Sequence, residues 1–165
     1  MPPPDESLGS QRPPSLLSLP SYLAGSVARL GNSALVGLLR TQSLRLPQFA
    51  VLSALSDFGA LAPHELATRL QTDRSHISTY VESLLPGGWV MREQDSDDRR
   101  RVTVTLTESG RLRFGELARA ASASETSFLS ALSSEEQATL QSLLLKVIAS
   151  AEAAASDSEE LAQQG

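Results

Sequence analysis

Residues 73–106 read DRSHISTYVESLLPGGWVMREQDSDDRRRVTVTL, and this stretch decides the fold. In its first part Ile77, Tyr80, Val81 and Leu84 recur at i, i+3, i+4 and i+7, the spacing of a helix with one buried face. The opposite face carries Arg74, Ser75, His76, Ser78, Thr79 and Glu82, all small or hydrogen-bonding. Asp73 is placed to act as N-cap, its carboxylate accepting from the free amides of the first turn. Pro86-Gly87-Gly88 ends the helix, since proline disfavours helical backbone at the residue before it and glycine permits the turn that follows.

The second part alternates like a strand. Val102, Val104 and Leu106 share one face and Thr103 and Thr105 the other, so residues 89–94 and 100–106 are expected to pair as a hairpin. Their connection, residues 95–99, is wholly polar, and the tip of the hairpin holds three consecutive arginines, Arg99, Arg100 and Arg101. A helix followed directly by a hairpin with a basic tip outlines a winged helix-turn-helix. The helix suits a major groove and the tip an adjacent minor groove.

With 165 residues the chain is one domain, or one domain with extensions. It has no cysteine, which excludes disulfides, thiolate zinc sites and thiol redox switches. Two histidines are too few for an imidazole-rich metal site. There is no long apolar run and no signal pattern, so the expectation is a cytoplasmic protein without a membrane partner. The net charge of −5 argues against a generally sticky nucleic-acid binder. The charge is unevenly spread, however: residues 40–113 hold ten arginines against nine acids, and the flanks hold most of the acidic excess. Lys146 is the only lysine, and arginine suits bidentate recognition of phosphate and guanine.

Residues 1–15 are rich in proline, serine and glycine and are expected to form a disordered or extended arm. Residues 16–45 carry a leucine-rich seam at spacings of three and four, predicting a helix from about Pro20 to Gln42 that packs partly against a second chain. Pro47 opens the next helix, whose apolar positions are Phe49, Leu52 and Leu55 and which Gly59 ends. A short helix over residues 64–70 turns inward Leu66, Ala67 and Leu70, and Gln71-Thr72 is a tight turn into the helix after Asp73. Thr107 caps a further helix carrying Leu112, Leu117, Ala121, Phe128 and Leu132. Ser134-Glu135-Glu136-Gln137 reads as a capping box for the last helix. The winged domain is thus expected over 46–107, C-terminal dimerisation helices over 108–155 and an acidic tail over 156–165. The fold class is mainly α with a small β-hairpin wing.

Catalytic and metal-binding patterns fail on inspection. His64-Glu65 opens like a zinc-protease HExxH, but Thr68 stands where the second histidine belongs. Asp95, Asp97 and Asp98 lack the glycine and distal glutamate of a calcium loop. No enzyme and no cofactor are expected. Phe49, Phe58 and Trp89 are read as core packing.

The segments LPQFAVLSAL, HELATRLQTDRSHISTYVESL and GGWVMREQDSDDRRRVTVTLTESG resemble the MarR family of bacterial winged helix-turn-helix transcription regulators. The wing is the most specific part, with Asp98-Arg99-Arg100 followed by the stretch that ends in Leu-Thr-Glu-Ser-Gly. The resemblance implies a homodimer built on the N- and C-terminal helices, binding a palindromic operator in double-stranded DNA. Such a protein is usually a repressor released by a small-molecule effector, whose identity the sequence withholds. Carried over by position, Arg74, Ser75, His76, Ser78 and Thr79 face the major groove, Arg99 and Arg100 form the wing tip in the minor groove, and Asp98 shapes the wing. Two departures stand out: Thr79 occupies a position often basic in the family, and Leu85-Pro86-Gly87 replaces a charged run. The alternative readings are a winged-helix protein-interaction module, or a ligand-binding protein without significant DNA affinity.

These roles divide the work. Arg74 and His76 have the reach and donors for guanine edges, whereas a wing arginine is drawn by the negative potential of a narrow minor groove without reading a base code. Arg100→Ala is therefore expected to weaken binding to all duplexes and to reduce the salt slope by about one. Arg74→Ala is expected to relax preference at particular base pairs. Titrations on operator and scrambled duplexes at several salt concentrations separate the two.

Overall fold

A computed structural model describes residues 12–94 and 102–163. The elements run α1 (Pro14–Leu17), α2 (Pro20–Thr41), α3 (Leu46–Phe58), α4 (Pro63–Arg69), α5 (Arg74–Leu84), a single 3₁₀ turn (Leu85–Gly87), β1 (Val90–Gln94), β2 (Val102–Leu106), α6 (Glu108–Phe128) and α7 (Ser134–Gln163). The chain divides into two compact units, residues 1–125 and 126–165. No helix among the described residues is long and apolar enough to cross a membrane.

The core of the first unit is built around α3. Its sequence is apolar nearly all round, the mark of a helix with neighbours on every side. Val51, Leu52, Ala54 and Leu55 are buried, and the helix packs against α2, α4, α5 and β2. Both α3 and α4 begin with proline in the first turn, where a missing amide costs nothing. Each is also capped from inside: Gln48 accepts from the Arg45 amide at 2.8 Å and Glu65 from the Ala62 amide at 2.6 Å. That bond makes Glu65 part of the cap of α4.

The hairpin is antiparallel, with Val90 opposite Leu106 and Arg92 opposite Val104. Three devices root it in the helices. Leu61 and Val104 exchange both backbone hydrogen bonds, at 3.0 and 2.8 Å, so the loop before α4 adds a one-residue third strand. At the other end the Thr107 hydroxyl donates to the Gly88 carbonyl at 2.6 Å and accepts from the Gly110 amide at 3.0 Å, capping α6 as expected. The Ser109 hydroxyl donates to the same Gly88 carbonyl at 2.9 Å. Gly110 then brings the first turn of α6 against the backbone of Trp89, so close that a Cβ would collide with the Trp89 carbonyl oxygen. The Thr-Glu-Ser-Gly sequence is thus a stitch between the end of the wing and the turn that precedes it.

Three expectations need correction. Asp73 holds the N-cap position in extended backbone, but its carboxylate makes no bond to the first-turn amides. It turns instead toward the imidazole of His76, with Oδ2 4.0 Å from Nδ1. The capping box of α7 sits one residue earlier than Ser134: the Ser133 amide donates to Glu136 Oε2 at 2.8 Å and Ser133 Oγ accepts from the Glu136 amide at 3.3 Å. Both registers satisfy the pattern, and the carboxylate takes the amide while Gln137 donates to the carbonyls of Leu129 and Leu132. These bonds from Ser133 hold the Glu136 carboxyl below its ordinary 4.5, so the cap persists above that range and is lost on acidification through the lowered value. Phe58 is 54% exposed, with the Arg69 guanidinium 3.8 Å above its ring, and is not core. Phe49 and Trp89 do pack against the core, Phe49 lying 5.7 Å from Phe114 between ring centroids.

The close approach at Gly110 yields a sharp contrast. Gly110→Ala is expected to destabilise the fold by about 3 kcal/mol or more, because backbone must move to make room. Gly115→Ala, five residues on in open space, is expected to be neutral or to stabilise by about 0.5–1 kcal/mol. Denaturant melts of the two variants measure the difference.

Candidate nucleic-acid interface

Helix α5 is seated by three residues with almost no exposure, Ile77, Val81 and Leu84, with half-buried Tyr80 beside them. It follows α4 through a turn in which Gln71 adopts a left-handed backbone (φ 48°) and the Thr72 amide donates to the Ala67 carbonyl at 3.0 Å. The helix stops where proline forces it to stop: Leu85–Gly87 tightens to a 3₁₀ turn, and Gly88 takes the left-handed conformation (φ 64°) that leads into β1.

Seating one face presents the other. Arg74, Ser75, His76, Ser78 and Thr79 are all exposed, and no large apolar side chain lies among them. All five predicted helix residues are thus exposed, spread around the side of α5 away from Ile77, Val81 and Leu84. Two details were not legible from spacing. The Ser78 and Thr79 hydroxyls donate back to the carbonyls of Arg74 and Ser75, both at 3.2 Å, so each presents an acceptor oxygen outward unless its hydroxyl swings. The His76 ring stacks on Tyr80, with centroids 6.2 Å apart, which restrains its reach. The wing residues Asp98, Arg99 and Arg100 lie outside the described residues.

Both edges of α5 are tied to the scaffold by side chains that pattern reading missed. On one edge Ser83 Oγ accepts from Gln48 Nε2 at 2.7 Å and donates to the Tyr80 carbonyl at 2.6 Å, linking α5 to the start of α3. On the other, Arg92 Nη2 donates to Glu82 Oε1 at 2.6 Å, linking α5 to β1. The partners are 35 and 10 residues apart in sequence, beyond any helix or strand repeat. Along the first edge runs a cleft of about 890 Å³ lined in part by Val36, Arg40, Arg45, Thr79, Tyr80 and Ser83.

Two short helices joined by a tight turn, with a hairpin rooted beside the second, define a winged helix-turn-helix protein. Residues 44–102 match the model of the MarR family. A curated relative, the HTH-type transcriptional regulator TtmR of Methylorubrum extorquens, is 31% identical over 62% of this chain; the chain spans about half of that relative, the match covering 53% of it. Among solved structures, a mutant of MarR from E. coli complexed with operator DNA is 26% identical, with a TM-score of 0.69, covering 77% of this chain and 91% of that one. The PcaV transcriptional regulator from Streptomyces coelicolor in complex with its natural ligand is 28% identical, with a TM-score of 0.67, covering 82% and 96%.

Proposed function

We propose that two copies of this chain form a homodimer that binds a palindromic operator in double-stranded DNA and represses transcription by occupying it. The observation that carries this reading is the exposed face of α5: five polar residues and no large apolar one, on a helix seated by a fully buried stripe. An interaction module would be expected to offer apolar side chains there. In this reading Arg74 and His76 address base edges, and Ser75, Ser78 and Thr79 lie against the sugar-phosphate rim of the major groove. Arg99 and Arg100 supply the minor-groove contact, with Asp98 holding the wing tip in shape.

The flanking helices support the dimer. Leu19 precedes α2, and Leu23, Val27 and Leu30 follow it at helical spacing, all between 40 and 49% exposed. In the second unit Leu143, Leu144, Val147 and Ile148 form a further exposed apolar stripe on α7. Apolar surface of this extent on so small a chain favours association with a second copy. The regions 16–45 and 108–155 are accordingly assigned to dimerisation and 46–107 to DNA binding. The protein acts as a regulator rather than an enzyme, in the cytoplasm. A small-molecule effector has a place in this scheme: the cleft beside Thr79, Tyr80 and Ser83 touches both the end of α2 and the recognition helix, so occupancy there bears directly on α5.

Selection of bound sequences from a random duplex pool tests the proposal. The expected result is a palindromic motif with half-sites one helical turn apart, about 34 Å. A monomer that selects no motif at low ionic strength overturns it. Thr79→Lys, which restores a basic group to the centre of the reading face, is expected to tighten binding and to steepen the dependence of log affinity on log salt by about one unit. Anisotropy titrations at several salt concentrations read the slope.

A further inference from the structure

The face of α5 offered to DNA carries one carboxylate. Glu82 lies seven residues after Ser75 and four after Ser78, so it shares their stripe along the helix. A bare carboxylate on that stripe would meet the phosphate backbone with like charge, and the low dielectric of a filled groove would sharpen the repulsion. The carboxylate is not bare. Arg92 Nη2 donates to Glu82 Oε1 at 2.6 Å, with side-chain exposures of 42% for the arginine and 58% for the glutamate.

The arginine arrives from a fixed direction. Arg92 pairs with Val104 across the hairpin, and Val104 is fully buried. Cross-strand partners share a face, so the stem of Arg92 leaves β1 on the side turned toward the helices while its guanidinium extends past the core edge to α5. Val104 is itself pinned by the two backbone bonds to Leu61. The guanidinium is thus delivered to Glu82 by the most firmly anchored part of the wing.

We propose that Arg92 is a positioning residue for DNA binding: it draws the Glu82 carboxylate to the hairpin side of α5, neutralises it, and couples the first strand of the wing to the reading helix. The inference rests on the DNA-binding reading above. An exposed ion pair contributes little to folding, so the effect of Arg92 is felt in the complex rather than in the free protein. Arg92 itself makes no demand on the DNA, since its charge is spent on Glu82.

A double-mutant cycle tests this on the full-length protein, with a labelled duplex carrying the motif selected from the random pool. Arg92→Ala is expected to weaken binding about tenfold, because it unmasks a carboxylate on the groove-facing stripe. Glu82→Ala is expected to stay within about threefold of the unmodified protein, and Glu82→Ala/Arg92→Ala to recover to about the same level. Melting temperatures of all three are expected to agree within about 3 °C. Arg92→Lys, which keeps the charge, is expected to bind within about threefold of the unmodified protein. A double variant as weak as Arg92→Ala would show that the guanidinium touches DNA directly and would overturn the inference alone. So would losses of affinity that track losses of melting temperature, the signature of a purely structural arginine. No binding by the unmodified protein to any duplex would overturn the DNA-binding reading and this inference with it.

Discussion

Ile77, Val81 and Leu84 seat α5 in the core, and the remainder of the interface depends on that seating. Each such side chain gains on the order of 1.5–3 kcal/mol from burial, more than any hydrogen bond or ion pair on the exposed side. Turning the helix by a single residue would drag a serine or a histidine into the core and expose one of the three. The outward face is therefore determined by what the inward face cannot give up. The residues on that outward face contribute little to folding, which leaves them free to differ between proteins of the same fold.

The wing is held differently. Its links to the body are largely backbone to backbone or side chain to backbone: Leu61 with Val104, and Thr107 and Ser109 with Gly88. Such links tolerate many side chains at the surface of the hairpin while keeping its strands in place. Where identity matters, it matters for space. Gly110 admits the Trp89 carbonyl, and the Trp89 ring lies under the Arg113 guanidinium, 5.6 Å from it. Arg113 in turn donates to Gln42 Oε1 at 2.7 Å, so the root of the wing and the end of α2 are joined through one side chain. Motion of α2 has a short physical route to the base of the hairpin, and through Gln48 and Ser83 the start of α3 has one to the end of α5.

Much of this was legible in one dimension. The buried stripe of α5, the hairpin pairing, the Pro-Gly-Gly stop and the Thr107 cap all follow from local spacing, because helix and strand periodicity place neighbours in sequence at known angles. The same rule explains the errors. Ser133 and Ser134 both satisfy a capping box, and the choice fell to which acceptor, a carboxylate or an amide, held the amide better. Phe58 looks like core by composition and lies outside because α3 ends at Gly59 before it can be covered.

The sequence by itself determined the order of the helices and the hairpin around α5, where α5 stops and which of its faces is polar, since each of these is a property of residues within one or two turns of each other. Tertiary structure alone decided how that face is framed: the Glu82–Arg92 bond and the Gln48–Ser83 bond. Both join residues that only chain reversal brings together. No repeat in the sequence encodes such distances.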